Sequence, residues 1–299
     1  MTILYHYCNA ETFIKIIQSK MLWLSSTSKM NDLNEGSVVE KRLLSLTNEW
    51  LSTESHEFLV RTIDMFKDES YACCFSSKPD LAVQWMAYAD AGRGFSIGFD
   101  SEKLLALDDR LREMTRDEYF AESRARAIQG DIKLGPVVYF DSDAQQRIVA
   151  ALNRILRIFD AEALQGQAAM QLRSVDNETL VSAALTCIWL DAVTKDAAFE
   201  HEKEYRLFHV PPELPLQRAV GGKRLRESVL DPLRWRASRF GLAPYYEYKF
   251  NVDAISEIWV GPRNPDHPNL GAQHLIEMFL AHSGMTDVEV KMSTSPYRG

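Results

Sequence analysis

The sequence predicts an α+β fold, a single domain over residues 1–299 with helical segments at about 37–67 and 102–198 inserted between core strands. Three observations predict it. Short runs rich in β-branched and aromatic residues cluster toward both ends of the chain. The middle carries mostly helical periodicity. No internal repeat and no low-complexity linker separates the two kinds of segment, so they belong to one layered unit.

The first run, ILYHY at 3–7, is dense in β-formers and reads as a strand. Asn9 or Thr12 can cap the helix that follows, where Phe13, Ile16 and Ile17 recur at helical spacing and Ile14 joins them. LWLS at 22–25 is a second short strand, and KMNDLNEG at 29–36 a polar loop of turn residues. Two helices fill 37–67, burying Leu43, Leu44 and Leu51, then Phe58, Leu59 and Ile63. YACCFSS at 71–77 is a strand, and Lys78-Pro79-Asp80 starts a helix carrying Leu81, Trp85 and Tyr88. A turn at 90–94 leads into a strand at 95–99. One strand at 136–140 breaks the helical middle, and a clear strand runs from 204 to 210. Residues 211–242 read as irregular, with Pro-Pro, Gly-Gly and many Arg. Strands at 245–250, 255–260 and 288–292, with a helix near 271–282, complete the set.

Composition narrows the function classes. Thirty-four basic residues stand against forty-two acidic ones, a net charge of −8, which excludes a broadly basic nucleic-acid coat but not a local basic patch. Six Trp, eleven Tyr and fourteen Phe are too many for a disordered chain. No stretch approaches the roughly 18–20 apolar residues of a membrane span, and Glu11 and Lys15 interrupt any signal-like segment. Cys8, Cys73, Cys74 and Cys187 include no C-x-x-C pair, so they read as reduced thiols of a cytoplasmic protein. His267, His274 and His282 lack carboxylate partners in ligand register, and no metal is expected. Gly92, Gly94 and Gly98 precede a strand, the wrong order for a dinucleotide turn, and Gly221-Gly222-Lys223 lacks the spacing of a phosphate loop.

Five constellations remain. In Glu202-Lys203-Glu204-Tyr205-Arg206, strand alternation puts Glu202, Glu204 and Arg206 on one face, roughly 7 Å apart. Two carboxylates beside a guanidinium suit charge stabilisation or proton transfer, and equally an Arg–Glu ladder on a solvated edge. His6 sits between Tyr5 and Tyr7, either at a site or as a satisfied core residue. Ser76-Ser77 end a strand before a helix bearing Gln84, Trp85 and Tyr88, a face that can anchor the helix or wall a pocket for a planar ring. The loop from Asn31 to Glu35 is rich in Asx turn formers. From Arg218 to Arg239 the charge reverses, with Arg224, Arg226, Arg234 and Arg236 the candidate contacts for phosphate or nucleic acid.

Taken in order, LYHYC, IIQSKMLWLSS, MNDLNE, CFSSKPDLAVQWMAYADAGRGFSIGFD, FEHEKEYRLF, EIWVGP and SPYRG resemble a bacterial family known as domain of unknown function 2971. The layout is also similar to ADP-ribosyltransferase folds, which implies a mixed, mostly antiparallel sheet. In that resemblance His6 matches the first-strand position and Ser76-Ser77 the Ser-Thr-Ser position, without its Thr. Glu202-Lys203-Glu204 matches the catalytic Glu-x-Glu. The first position follows one branch of the superfamily and the last another.

The resemblance implies an enzyme that cleaves the nicotinamide–ribose bond of NAD and passes ADP-ribose to a macromolecule or to water, as a toxin or in phage defence. NAD would be its substrate. Glu204 would stabilise an oxocarbenium-like state and Glu202 would position or deprotonate the acceptor. His6 would hold the ribose and adenosine side, and Arg206 with one of the loop arginines the diphosphate. Tyr7, Asn31, Ser76, Ser77, Trp85 and Tyr88 would complete the NAD-binding set. The alternative is a non-catalytic nucleotide or nucleic-acid binding module that uses the basic 218–239 segment. The partners expected across these readings are NAD or another nucleotide and a nucleic-acid or protein acceptor, with no membrane.

Overall fold

The computed structural model describes residues 2–30, 37–66, 70–106, 111–121, 132–156, 175–210, 230, 232–238, 241–265 and 270–296. Eleven strands form a mixed, mostly antiparallel sheet. Its main path runs β10 (Arg234–Ser238), β11 (Gly241–Lys249), β2 (Met21–Ser26), β3 (Tyr71–Ser76), β1 (Ile3–Cys8), β4 (Phe95–Asp100), β12 (Ile255–Val260) and β13 (Glu289–Met292). On the other side of β3 lies β9 (Glu204–His209), followed by β6 (Ile132–Pro136) and β5 (Leu111–Glu113). The β12–β13 and β5–β6 pairs are parallel, as is a separate pair of β7 (Val138–Phe140) and β8 (Thr194–Asp196).

A split in this sheet positions the site. Both β1 and β2 pair with the same edge of β3. The β2 register holds Ser25 opposite Ala72 and Ser26 opposite Tyr71, at the start of β3. The β1 register holds Tyr5 opposite Ser76, at its end. From these two ends β1 and β2 diverge, each finding its full ladder elsewhere, β1 on β4 and β2 on β11. A wedge opens between them, and its floor is the edge of β3.

One sheet face is covered by α1 (Ala10–Ser19), α5 (Ser101–Leu105) and α9 (Leu270–His282). Phe13, Ile16 and Ile17 of α1 pack there on Leu22, Leu24, Phe75 and Leu207. Asn9 is the cap, its Oδ1 accepting from the Thr12 amide at 2.8 Å. The other face takes α2 (Val38–Trp50), α3 (Thr53–Phe66), α7 (Ser142–Leu156) and α8 (Asn177–Val193), which share a second core with Ala72 and Phe208. Helix α8 is apolar nearly all round because its neighbours enclose it, as expected for a helix without an amphipathic stripe.

Several expectations need correction. Ile14 does not join the buried face of α1 and is 44% exposed, since the stripe through Phe13, Ile16 and Ile17 already faces the sheet. Residues 211–242 are not wholly irregular: Arg234–Ser238 is β10, and β11 begins at Gly241. Arg and Gly hid this hairpin, which is stabilised by pairing rather than by local propensity. The strand expected at 136–140 is two short strands, β6 ending at Pro136 and β7 starting at Val138. Glu202 does not lie on a strand. It ends a 3-10 helix over Ala197–Glu202, and Lys203, at φ 50°, turns the chain left-handed into β9.

Candidate functional site

The wedge encloses a cavity of about 290 Å³. Its wall includes His6 from β1, Trp23 from β2, Cys74 from β3, Tyr88 from α4 (Ala82–Tyr88) and Arg236 from β10. Lys195, Glu202 and Glu204 close one end.

That end is a compact charge cluster. The Lys195 ammonium donates to Glu202 Oε2 at 2.6 Å and to Glu204 Oε2 at 2.9 Å. Arg206 Nε donates to Glu204 Oε1 at 2.7 Å, and its Nη1 caps the Ala192 carbonyl at the C-terminus of α8 at 2.7 Å. The Tyr88 hydroxyl donates to Glu202 Oε1 at 3.0 Å. All four charged side chains are buried, and two carboxylates meet two cations. Burial alone would raise the Glu204 carboxyl. Arg206 and Lys195 outweigh it and hold Glu204 well below the usual carboxylate range. Burial pushes the Tyr88 hydroxyl up, so it stays a proton donor at neutral pH.

The backbone around this cluster is tightly held. Ser76 Oγ donates to the Glu202 carbonyl at 2.8 Å, and the Ser77 amide donates to the Lys203 carbonyl at 2.9 Å. The Glu204 amide donates to the Tyr139 hydroxyl at 2.8 Å. Ser76 and Ser77 therefore secure the turn that presents the two glutamates, and their own hydroxyl and amide are used in doing so. Chemically, the cluster offers carboxylate oxygens, an ammonium and a phenolic hydroxyl to one end of a cavity. Such a set can orient sugar hydroxyls and stabilise developing positive charge.

The structure brings Glu202, Glu204 and Tyr88 together at this end. His6 reaches the same cavity from the opposite face of the sheet, since Leu4 and Cys8 beside it belong to the α1-side core. Its Nδ1 lies 2.9 Å from the Cys74 carbonyl, which can only accept, so Nδ1 carries the proton and Nε2 is left as an acceptor. Burial lowers the pKa of this imidazole and keeps it neutral. His6 thus ties β1 to β3 where the strand ladder has opened.

Other expected positions fall elsewhere. Arg206 is 1% exposed and sits beneath the carboxylates, away from the cavity wall, so it is not placed for a diphosphate. Trp85 is fully buried, its Nε1 donating to Asp80 at 2.6 Å, and it packs edge-on against Tyr7 at 4.8 Å. Tyr7 does line the cavity, but its hydroxyl is committed to the Lys78 carbonyl and the Leu81 amide. Arg234 pairs with Glu247 at 2.8 Å on the sheet edge, whereas Arg236 reaches the cavity. Asn31, Arg224 and Arg226 lie outside the described residues.

Sequence reasoning missed Lys195 and Trp23. Nothing local marks Lys195, which reaches the cluster because α8 ends two residues earlier, at Val193. The alternation in LWLS could have found Trp23, since Leu22 and Leu24 turn into the core and leave Trp23 facing the wedge.

Residues 84–207 match the model of a family described as Protein of unknown function (DUF2971), in agreement with the resemblance read from the sequence. No curated protein and no solved structure matches the chain. Among the described residues, no helix is long and apolar enough to cross a membrane.

Proposed function

We propose that this member of the DUF2971 family, matched over residues 84–207, binds NAD in the wedge between β1 and β2 and cleaves its nicotinamide–ribose bond. One observation carries the reading: a carboxylate pair, with a tyrosine hydroxyl and a lysine, closes one end of a cavity set in a split sheet. The expected likeness to ADP-ribosyltransferase folds belongs to this proposal. In the reaction, the bond from the nicotinamide nitrogen to ribose C1′ breaks and its electron pair leaves on nicotinamide. An acceptor hydroxyl, or water, bonds to C1′ and loses its proton. The positive charge that develops on the ribose calls for nearby carboxylate.

Glu202 is the better placed of the two for direct work. Among the described residues its Oε1 is held only by the Tyr88 hydroxyl, a bond that a ribose hydroxyl can replace. Both Glu204 oxygens are held by buried cations, so Glu204 acts by positioning Lys195 and Glu202. Incubation with NAD labelled in its adenylate tests the reading. Free nicotinamide should appear together with labelled ADP-ribose or a labelled macromolecule. A protein that neither binds NAD nor releases nicotinamide would end it.

A second reading has its own support. The four buried charges satisfy one another, which suits a rigid scaffold for a nucleotide-binding module without turnover. It predicts NAD binding with no nicotinamide release.

A further inference from the structure

The end of the cavity away from the carboxylates has a different character. Trp23 forms part of the wall, propped by Tyr245 at 4.7 Å between ring centroids. The Arg236 guanidinium lies 5.5 Å from the Trp23 ring and donates through Nη2 to Ser25 Oγ at 2.9 Å. Arg236 Nε is buried with no hydrogen-bond partner among the described residues. That atom is out of reach of solvent, but the guanidinium lines the cavity and is bonded only through Nη2 among the described residues, so it keeps N–H donors for an anionic oxygen arriving from the cavity. Lys29, three residues past the end of β2, lines the same cavity, is exposed, and makes no ion pair among the described residues. Lys15 also lines it, with its charge shared with Glu11 at 2.6 Å. In a chain of net charge −8, this cationic end with an indole wall is a local reversal.

We infer that this end is an adenine-nucleotide subsite, in which the base stacks on Trp23 and the phosphate meets Arg236 and Lys29. The inference rests on the proposed NAD reading for its orientation. If the nicotinamide ribose lies at Glu202, the adenylate half has the Trp23 end to occupy. The indole supplies the ring contact and sequence-tolerant stacking, while the two cations supply the anion contact.

AMP and nicotinamide mononucleotide, titrated separately into the full-length protein, test it. AMP should bind, less tightly as salt rises, and Trp23→Ala or Arg236→Met should each weaken it about ten- to a hundredfold. Nicotinamide mononucleotide should be far less sensitive to Trp23→Ala. Thermal melts check folding, and Trp23→Phe, which keeps an aromatic face, should recover much of the AMP affinity. If Trp23→Ala does not fold, Arg236→Met on the edge strand decides. AMP that fails to bind, or that binds within twofold of wild type in both variants, overturns the subsite. AMP binding through Trp23 without nicotinamide release keeps the subsite and removes the cleavage. Nicotinamide release with a KM unchanged in both variants keeps the cleavage and removes the subsite.

Discussion

Glu204 accepts from two buried cations and anchors the polar end of the cavity. Replacing it by Gln leaves Arg206 and Lys195 short of countercharge, and breaking such a buried pair costs about 3–5 kcal/mol. A clear fall in the melting temperature of Glu204→Gln is therefore expected, and this variant cannot separate chemistry from folding. The pH dependence follows from the direction of its shift. The folded carboxyl titrates below its unfolded value, so its stabilisation is present above the ordinary carboxylate pKa. It is lost as the pH falls below that value toward the folded one. Acid unfolding monitored by circular dichroism should show Glu204→Gln losing less stability than wild type over that window. At this scale the sequence was partly legible. Glu-x-Glu is visible as a pattern, but Arg206 as a buried cap of α8 and Lys195 as the bridge both depend on contacts between elements.

Helix α2 has no side-chain cap of its own, and Asp191 of α8 supplies one. Its carboxylate accepts from the Val39 amide at 2.7 Å and the Glu40 amide at 3.0 Å. Burial pushes Asp191 up to about 7, against the opposing pull of those two amides. A raised folded pKa means that this contribution is complete below the unfolded value and fades as the pH rises through about 7. Asp191→Asn cannot titrate, so the stability gap between it and wild type should change over that range and level off above it. Denaturant melts at several pH values check this. Backbone packing gives a second element-scale expectation. A Cβ at Gly94 would meet the Cys8 carbonyl oxygen at 2.1 Å, and one at Gly261 would meet the Gly92 oxygen at 2.3 Å. Either Gly→Ala change forces backbone apart, and a loss of at least about 2 kcal/mol is expected by chemical denaturation. Strands such as ILYHY and helices such as α1 were readable because their signals are local. The β10–β11 hairpin and the wedge were not, because where β1 and β2 leave β3 is decided by pairing across the chain.

For the whole molecule, net charge looked unfavourable to anionic ligands, yet the cavity gathers cations at one end and a balanced cluster at the other. The α+β class was legible from strand clustering, and the mostly antiparallel sheet was expected from the fold resemblance, while the eleven-strand extent seen among the described residues was not. The central claim is that the carboxylate pair does chemistry beyond holding the sheet and α8 together. The most direct measurement is the rate of nicotinamide release from NAD by wild type and by Glu202→Gln, with the melting temperature of each. Glu202→Gln keeps the shape of the side chain and leaves Lys195 paired with Glu204. The account predicts release by wild type and a loss of at least about a hundredfold in the variant, in the range typical of general acid–base groups, with the fold retained. A folded Glu202→Gln protein that releases nicotinamide as fast as wild type would contradict it.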